Sequence, residues 1–216
     1  MTGVLILGES GTGKSTAIRT LPPESTFIIK TIEKSLPFPG AKKLYTPLSD
    51  DFKTGNSRVQ DDSHKIINLL NFINHNRPDI KHIVIDDFGY MSSNSFMRQA
   101  SVKGYEKFTT IGKEMFDVLN CIESLRDDLI CFVMMHVEID QNGRYKPKTV
   151  GKMVDQHICV EGKFTYIFHA LTSERKYKFL TNNDGQHMAK TPMGMFDEML
   201  IDNDLLLIAD AIRRYE

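Results

Sequence analysis

Eight consecutive residues, Gly8-Glu9-Ser10-Gly11-Thr12-Gly13-Lys14-Ser15, limit what this chain can fold into more than any other stretch. They satisfy the pattern G-x-x-x-x-G-K-[ST] at every position. The apolar run Val4-Leu5-Ile6-Leu7 leads into them, and Ser15 to Leu21 reads as the helix that follows. A strand that turns through glycines into a helix aims several backbone N–H groups inward at the positive end of the helix dipole, which is a cradle for phosphate. In that frame Gly8 to Thr16 surround the phosphates of a nucleotide. Lys14 neutralises the β- and γ-phosphates, and the Ser15 hydroxyl sits on Mg²⁺. ATP and Mg²⁺ are the expected ligands.

The rest of the chain can be laid out around that loop. Pro22-Pro23 stops the first helix, because proline lacks the N–H and its ring clashes in a helix interior. Thr26 to Lys30 reads as a second strand, Ala41 to Thr46 as a short edge strand, and the polar, aperiodic stretch Ser49 to Asp62 as a surface loop. Asp62-Ser63 caps a helix in which Ile66, Leu69, Leu70 and Ile73 fall at i, i+3, i+4 and i+7. Lys81 to Asp87 and Leu129 to His136 are buried strands of the central parallel type. Between them a helix from about Tyr105 to Arg126 carries an apolar stripe whose spacing is that of core packing. Gln141 to Arg144 is a hairpin turn, Phe164 to Ala170 and Arg175 to Leu180 are late strands, and Asp204 caps a last helix. The predicted fold is α/β: a P-loop domain with a mainly parallel central sheet flanked by helices, and antiparallel strands late in the chain. With 216 residues, one domain spanning 1–216 is expected.

Chemistry beyond the phosphate loop falls at strand ends. Ile83-Val84-Ile85-Asp86-Asp87 looks like a Walker B strand, with Asp86 on the Mg²⁺ that Ser15 also touches. Asp87 either orients or deprotonates the attacking water, or is a helix cap or surface carboxylate. Glu33, just past the second strand, competes for the same role, because strand C-termini share one crevice in open α/β sheets. Its other reading is a solvated charge beside Lys30 and Lys34. His136, with Glu138 two residues on, is either a γ-phosphate contact or a satisfied structural histidine.

A net charge of −1 gives no global attraction to nucleic acid, so any such binding must come from local loops. Two clusters qualify: Arg98, Lys103, Tyr105 and Lys107; and Arg144, Tyr145, Lys146 and Lys148, with Lys152 beyond. Cations that track phosphate beside a ring that stacks on bases suit single-stranded DNA, although both clusters also read as solvated charge. Lys148, Lys152 or Arg175 could reach a neighbour's nucleotide site in trans, a contribution worth ~10³–10⁵ in rate where it occurs. Cys121, Cys131 and Cys159 have no C-x-x-C spacing, which argues against zinc and against a disulfide framework. With no signal sequence and no apolar run near the ~20 residues a bilayer needs, a cytoplasmic protein without a membrane partner is expected.

These residues together resemble the small phage-encoded P-loop ATPases with a RecA-like core, including single-strand annealing ATPases of phage recombination modules. The resemblance is carried by Gly8 to Ser15, Ile83 to Asp87, and His136 with Glu138, and more weakly by Thr149-Val150-Gly151-Lys152-Met153 and Ala189 to Phe196. It implies ATP-dependent assembly as a homo-oligomer on single-stranded DNA, with a single-strand-binding protein as partner and the host cytoplasm as location. Two features depart from it. Lys30-Thr31-Ile32 intervene between the second strand and Glu33, and the double acid Asp86-Asp87 looks more like AAA-type ATPases. The other readings are a small-molecule or nucleoside kinase, for which no compact arginine-rich lid is present, and a nucleotide-gated scaffold with little turnover.

Overall fold

The computed structural model describes residues 2–150 and 158–216. Its strands are β1 (Thr2–Gly8), β2 (Thr26–Lys30), β3 (Ser57–Val59), β4 (His82–Asp86), β5 (Ile130–Ile139), β6 (Tyr145–Pro147), β7 (Tyr166–Ser173), β8 (Lys176–Leu180) and β9 (Leu200–Asp202). The α-helices are α1 (Ala41–Leu44), α2 (Ser63–Asn76), α3 (Gly89–Arg98), α4 (Glu106–Glu123) and α5 (Leu205–Tyr215). The strands lie side by side in the order β3-β2-β4-β5-β1-β7-β8-β9, with β6 paired to β5. Every pairing from β3 across to β7 is parallel, and β7–β8, β8–β9 and β5–β6 are antiparallel. This is a P-loop NTPase fold.

Strand alternation explains the apolar runs. In β1, Leu5 and Leu7 pack into one core with α2 and α4, while Val4 and Ile6 pack into a second core with α5. Both faces are covered, so all four side chains are fully buried. Helix α2 follows its sequence pattern: Asp62 accepts a hydrogen bond from the Lys65 N–H at 3.0 Å, and Ile66, Leu69, Leu70 and Ile73 are buried. Asp204 caps α5 in the same way, accepting from the Leu207 N–H at 2.9 Å.

Three local expectations are corrected, and one helix, α3, lies where the sequence carries no expectation. Ala41 to Thr46 contains the short helix α1 instead of an edge strand: Gly40, at φ 77°, turns the chain, and its carbonyl accepts from the Lys43 N–H at 2.9 Å. The loop read over Ser49 to Asp62 contains β3, which pairs in parallel with β2, and three residues are too few to show alternation in sequence. The helix after the phosphate loop is a 3₁₀ helix, Ser15–Thr20, and it ends at Leu21, which is extended ahead of Pro22. Helix α3 buries Met91, Ser92 and Ser95, and Ser95 donates to Glu114 of α4 at 2.7 Å.

Two buried histidines make the fold acid-sensitive. His82 lies between Arg213, whose Nη2 is 2.8 Å from His82 Nε2, and Thr26, whose Oγ1 is 3.5 Å from Nδ1. Burial, helped by Arg213, pushes its pKa down to about 4. His169 on β7 is held down to about 4 by burial, with His187 and Lys14 adding to it and Asp184 opposing. The unfolded chain takes up these protons near 6.5 and the folded one near 4. The stability at stake is therefore present above 6.5 and lost as pH falls toward 4. Between pH 7 and 5 each histidine is expected to remove ~2 kcal/mol from the unfolding free energy. Urea titrations at the two pH values check this. His169→Phe, which keeps a ring against Tyr145 and His187, should flatten its share; an unchanged pH profile would contradict the assignment.

Candidate functional site

The parallel register brings the C-terminal ends of β1, β2, β4 and β5 to one edge of the sheet. Each strand delivers a different group there. From β1 comes the loop Gly8 to Ser15. Gly13 sits at φ 93°, and a Cβ on it would lie 2.6 Å from Cγ of Tyr177, so only glycine fits under that ring. A Cβ on Gly8 would meet the Ala170 carbonyl and Thr12 Oγ1, both at 2.7 Å. The loop is braced from outside by Asn203, a buried residue whose Nδ2 donates to the Gly13 carbonyl at 3.2 Å and whose Oδ1 accepts from Arg19 at 2.9 Å.

Lys14 is buried, and its Nζ donates to the carbonyls of Gly8 (2.7 Å) and Glu9 (2.8 Å). Burial pushes this ammonium down to about 8 against the pull of Asp87 and Asp86. It lies beneath the loop as a cation short of anionic partners. Ser15 Oγ donates to Asp86 Oδ1 at 2.8 Å. The other carboxylate oxygen, Asp86 Oδ2, is buried and has no hydrogen-bond partner. Burial raises the Asp86 pKa, and the neighbouring Asp87 charge raises it further. An orphaned anionic oxygen beside a serine hydroxyl, on the wall of a phosphate cradle, is a donor set that Mg²⁺ completes. Mg²⁺ takes oxygen ligands and keeps most of its other positions for water and substrate phosphate, so one carboxylate and one hydroxyl suffice. The residues present fit the metal.

Asp87 is buried and adopts φ 60°, a left-handed conformation rare outside glycine. Its backbone is held by Thr31, whose Oγ1 donates to the Asp87 carbonyl at 2.5 Å and to the Asp86 carbonyl at 3.3 Å. One carboxylate oxygen is ion-paired with Lys34, and the other lies 3.3 Å from His136 Nε2. Burial alone would raise its pKa, but His136 and Lys34 outweigh that and hold it below the usual carboxylate value. Asp87 is thus neither a surface carboxylate nor a side-chain helix cap.

A cavity of about 360 Å³ runs over these groups, lined by the loop from Ser10 to Thr16 and by Lys34, Asp87, Tyr90, His136 and Tyr177. Expected partners meet here: Lys14, Ser15, Asp87 and His136 line it, and Asp86 lies beneath through Ser15. Glu33 does not enter. Its side chain is 80% exposed and pairs with Lys30 at 3.5 Å, while the next residue, Lys34, turns inward. Glu138 likewise pairs with Lys146 at 3.0 Å.

The expected DNA-facing residues divide. Arg98 is paired with Asp61 at 2.7 Å, Lys107 lies over the Phe96 and Phe108 rings, and Lys146 meets Glu138. Tyr145 stacks on His187 with ring centroids 4.8 Å apart, so one of its faces is taken. Lys103, Arg144 and Lys148 are exposed, and Tyr105 is 73% exposed. Arg175 is exposed in the β7–β8 turn and is not among the residues lining the phosphate cavity; Lys152 lies outside the described residues. The sequence assigns no site role to Lys34, Thr31, Tyr177 and Asn203; distant pairing brings the first two to Asp86 and Asp87 and the last two to Gly13. No group of three or more potential metal-ligating side chains (His, Cys, Asp, Glu) occurs among the described residues, and none of their helices is long and apolar enough to cross a membrane.

A family model described as an AAA domain matches residues 2–192. Among curated proteins, none matches the chain.

Proposed function

The chain belongs to this AAA-domain family of nucleotide-binding P-loop ATPases, and from that footing we propose that it hydrolyses ATP with Mg²⁺ while acting on single-stranded DNA. The observation that carries the hydrolytic reading is the buried Asp86 oxygen left without a donor beside Ser15, under a loop whose lysine faces the same cavity. Lys14 holds the β- and γ-phosphates in place of the loop carbonyls it now contacts. Ser15 and Asp86 would hold the metal, which when bound would neutralise charge on the phosphate oxygens. Buried Asp87 and partly exposed His136 form a pair that lines the cavity, placed to orient a water by hydrogen bonding.

The DNA reading is supported by where the exposed basic groups lie. Lys103 follows α3, after β4, and Arg144 and Lys148 flank β6, after β5. Both segments leave the edge of the sheet that carries the phosphate loop. Action as a homo-oligomer, a single-strand-binding protein as partner, and a place in phage recombination, annealing or replication rest on the motif resemblance. A trans cation belongs to the same reading, with Arg175 and Lys152 as candidates.

One observation favours a second reading, phosphoryl transfer to a small acceptor. A further cavity of about 390 Å³ adjoins the first, sharing Ser10, Tyr90 and His136 with it and extending to Glu9, Ser93, Lys148 and Thr149. Steady-state ATP hydrolysis with and without single-stranded DNA separates the two. The DNA reading predicts stimulation of several-fold, reduced when Arg144 and Lys148 are both changed to Ala, and a salt dependence that flattens by about two charges. Hydrolysis indifferent to DNA, in a strict monomer, would contradict it and favour the acceptor.

A further inference from the structure

We infer that Lys34 is a second phosphate-binding cation, supplied by the same chain, which distinguishes a nucleoside triphosphate from a diphosphate. The inference rests on the nucleotide-binding reading of the loop and adds a residue that neither the P-loop nor the Walker B pattern contains. Lys34 is seven residues before the start of α1, in the connection that leaves β2, and it lines the phosphate cavity together with Lys14.

Its position is built by its surroundings. Thr31, at the start of the connection, is tied to the carbonyls of both Asp86 and Asp87. The Thr31 N–H also donates to the Asp86 carbonyl at 3.2 Å, which continues the β2–β4 register one residue beyond the strand. Lys30 is only 17% exposed, and its Nζ donates to the Lys34 carbonyl at 3.1 Å. The Lys34 N–H donates to the Ile32 carbonyl, also at 3.1 Å, closing a tight turn. These bonds point consecutive side chains in opposite directions: Glu33 goes out to solvent and Lys34 goes in.

Inside, the ammonium is ion-paired with the buried Asp87 carboxylate while the side chain stays 39% exposed toward the cavity. An ammonium has three donors, and one partner does not exhaust them. Lys34 can therefore keep Asp87 and still donate to an oxygen in the cavity. The position of that oxygen follows from its neighbours. Lys34 lies at the end marked by Asp87, Tyr90 and His136, whereas Tyr177 covers Gly13 at the helix end of the loop. On this inference, a polyphosphate that starts at the loop passes Lys14 and the Ser15–Asp86 pair before it reaches Lys34. The terminal phosphate of a triphosphate does so, and a diphosphate ends short of it.

Equilibrium binding of a non-hydrolysable ATP analogue and of ADP, each with Mg²⁺, tests this on the intact chain. Lys34→Met is expected to weaken the analogue by ~10- to 100-fold, the cost of one charge-assisted contact, and ADP by less than about threefold. Lys34→Arg, which retains the charge, should recover most of the lost preference. Equal losses for the two nucleotides, or none for the analogue, would overturn the inference and leave the loop assignment standing, provided wild-type protein binds both and Lys14→Ala does not. A wild-type protein that bound neither nucleotide would overturn both.

Discussion

Lys14→Ala is expected to remove nucleotide-dependent turnover almost completely, by ~10³-fold or more, while leaving a folded protein. Lys14 is buried beneath the loop with its Nζ on the carbonyls of Gly8 and Glu9, and burial has already lowered its hold on the proton to about 8. A cation in that position is poorly compensated, so an incoming polyphosphate relieves a cost already present in the folded chain. Alanine removes both the cost and the attraction. The Glu9 carbonyl it releases belongs to an exposed residue, where water replaces the lost donor, and the donor lost at the buried Gly8 carbonyl is offset by removal of the buried charge. The thermal midpoint without nucleotide should thus change little, and the rise on adding ATP and Mg²⁺ should vanish. Calorimetric binding together with a melting curve checks both halves. Unchanged turnover would place the phosphate site elsewhere.

Asp86→Asn should produce the opposite pairing of effects: a more stable resting protein and a crippled one. Asp86 is almost wholly buried, burial and the Asp87 charge both raise its pKa, and one of its oxygens has no partner. Replacing the carboxylate by a neutral amide of the same shape removes a buried charge and lets Oδ1 continue to accept from Ser15. A gain of ~1–2 kcal/mol in the absence of metal is expected. Metal-dependent turnover should fall by ~10²-fold or more, because an amide oxygen is a much poorer Mg²⁺ ligand than a carboxylate. This is the stability–activity exchange expected where a site holds a strained or unpaired group for function. Chemical denaturation without metal and turnover across a Mg²⁺ titration measure the two effects. A destabilised variant with normal metal dependence would mean that Asp86 is a structural carboxylate.

What could be read in the sequence was whatever is local. The phosphate loop is contiguous, so eight residues declare both its shape and its chemistry. Asp86 follows an unbroken apolar run, and the parallel register then places it beside Ser15 across 71 residues of chain. The core stripes of α2 and α4 were equally visible because helical spacing records which face is covered.

What escaped notice depends on meetings between distant segments. Glu33 and Lys34 are neighbours in sequence, and nothing local says which one turns inward. That choice is made by Thr31 and Lys30, which anchor the connection, and by Asp87, 53 residues from Lys34, which pairs with it. Tyr177 and Asn203 brace Gly13 from strands and turns late in the chain. Helix α3 is hard to read in the sequence because two of its three buried residues, Ser92 and Ser95, are small and polar and break any apolar period. The basic clusters were legible as charge but not as availability: Asp61 and Glu138 engage Arg98 and Lys146, and His187 occupies one face of Tyr145.

The central claim is that a triphosphate and its metal are held between Lys14, Ser15 and Asp86. A crystal structure of the protein with a non-hydrolysable ATP analogue and Mg²⁺ tests it most directly. The expected result is phosphate density within hydrogen-bond distance of Lys14 Nζ, with an octahedral metal bonded to Ser15 Oγ and reaching Asp86 directly or through water. A loop left empty while the nucleotide occupies another cavity, or a metal held away from Ser15 and Asp86, would contradict it.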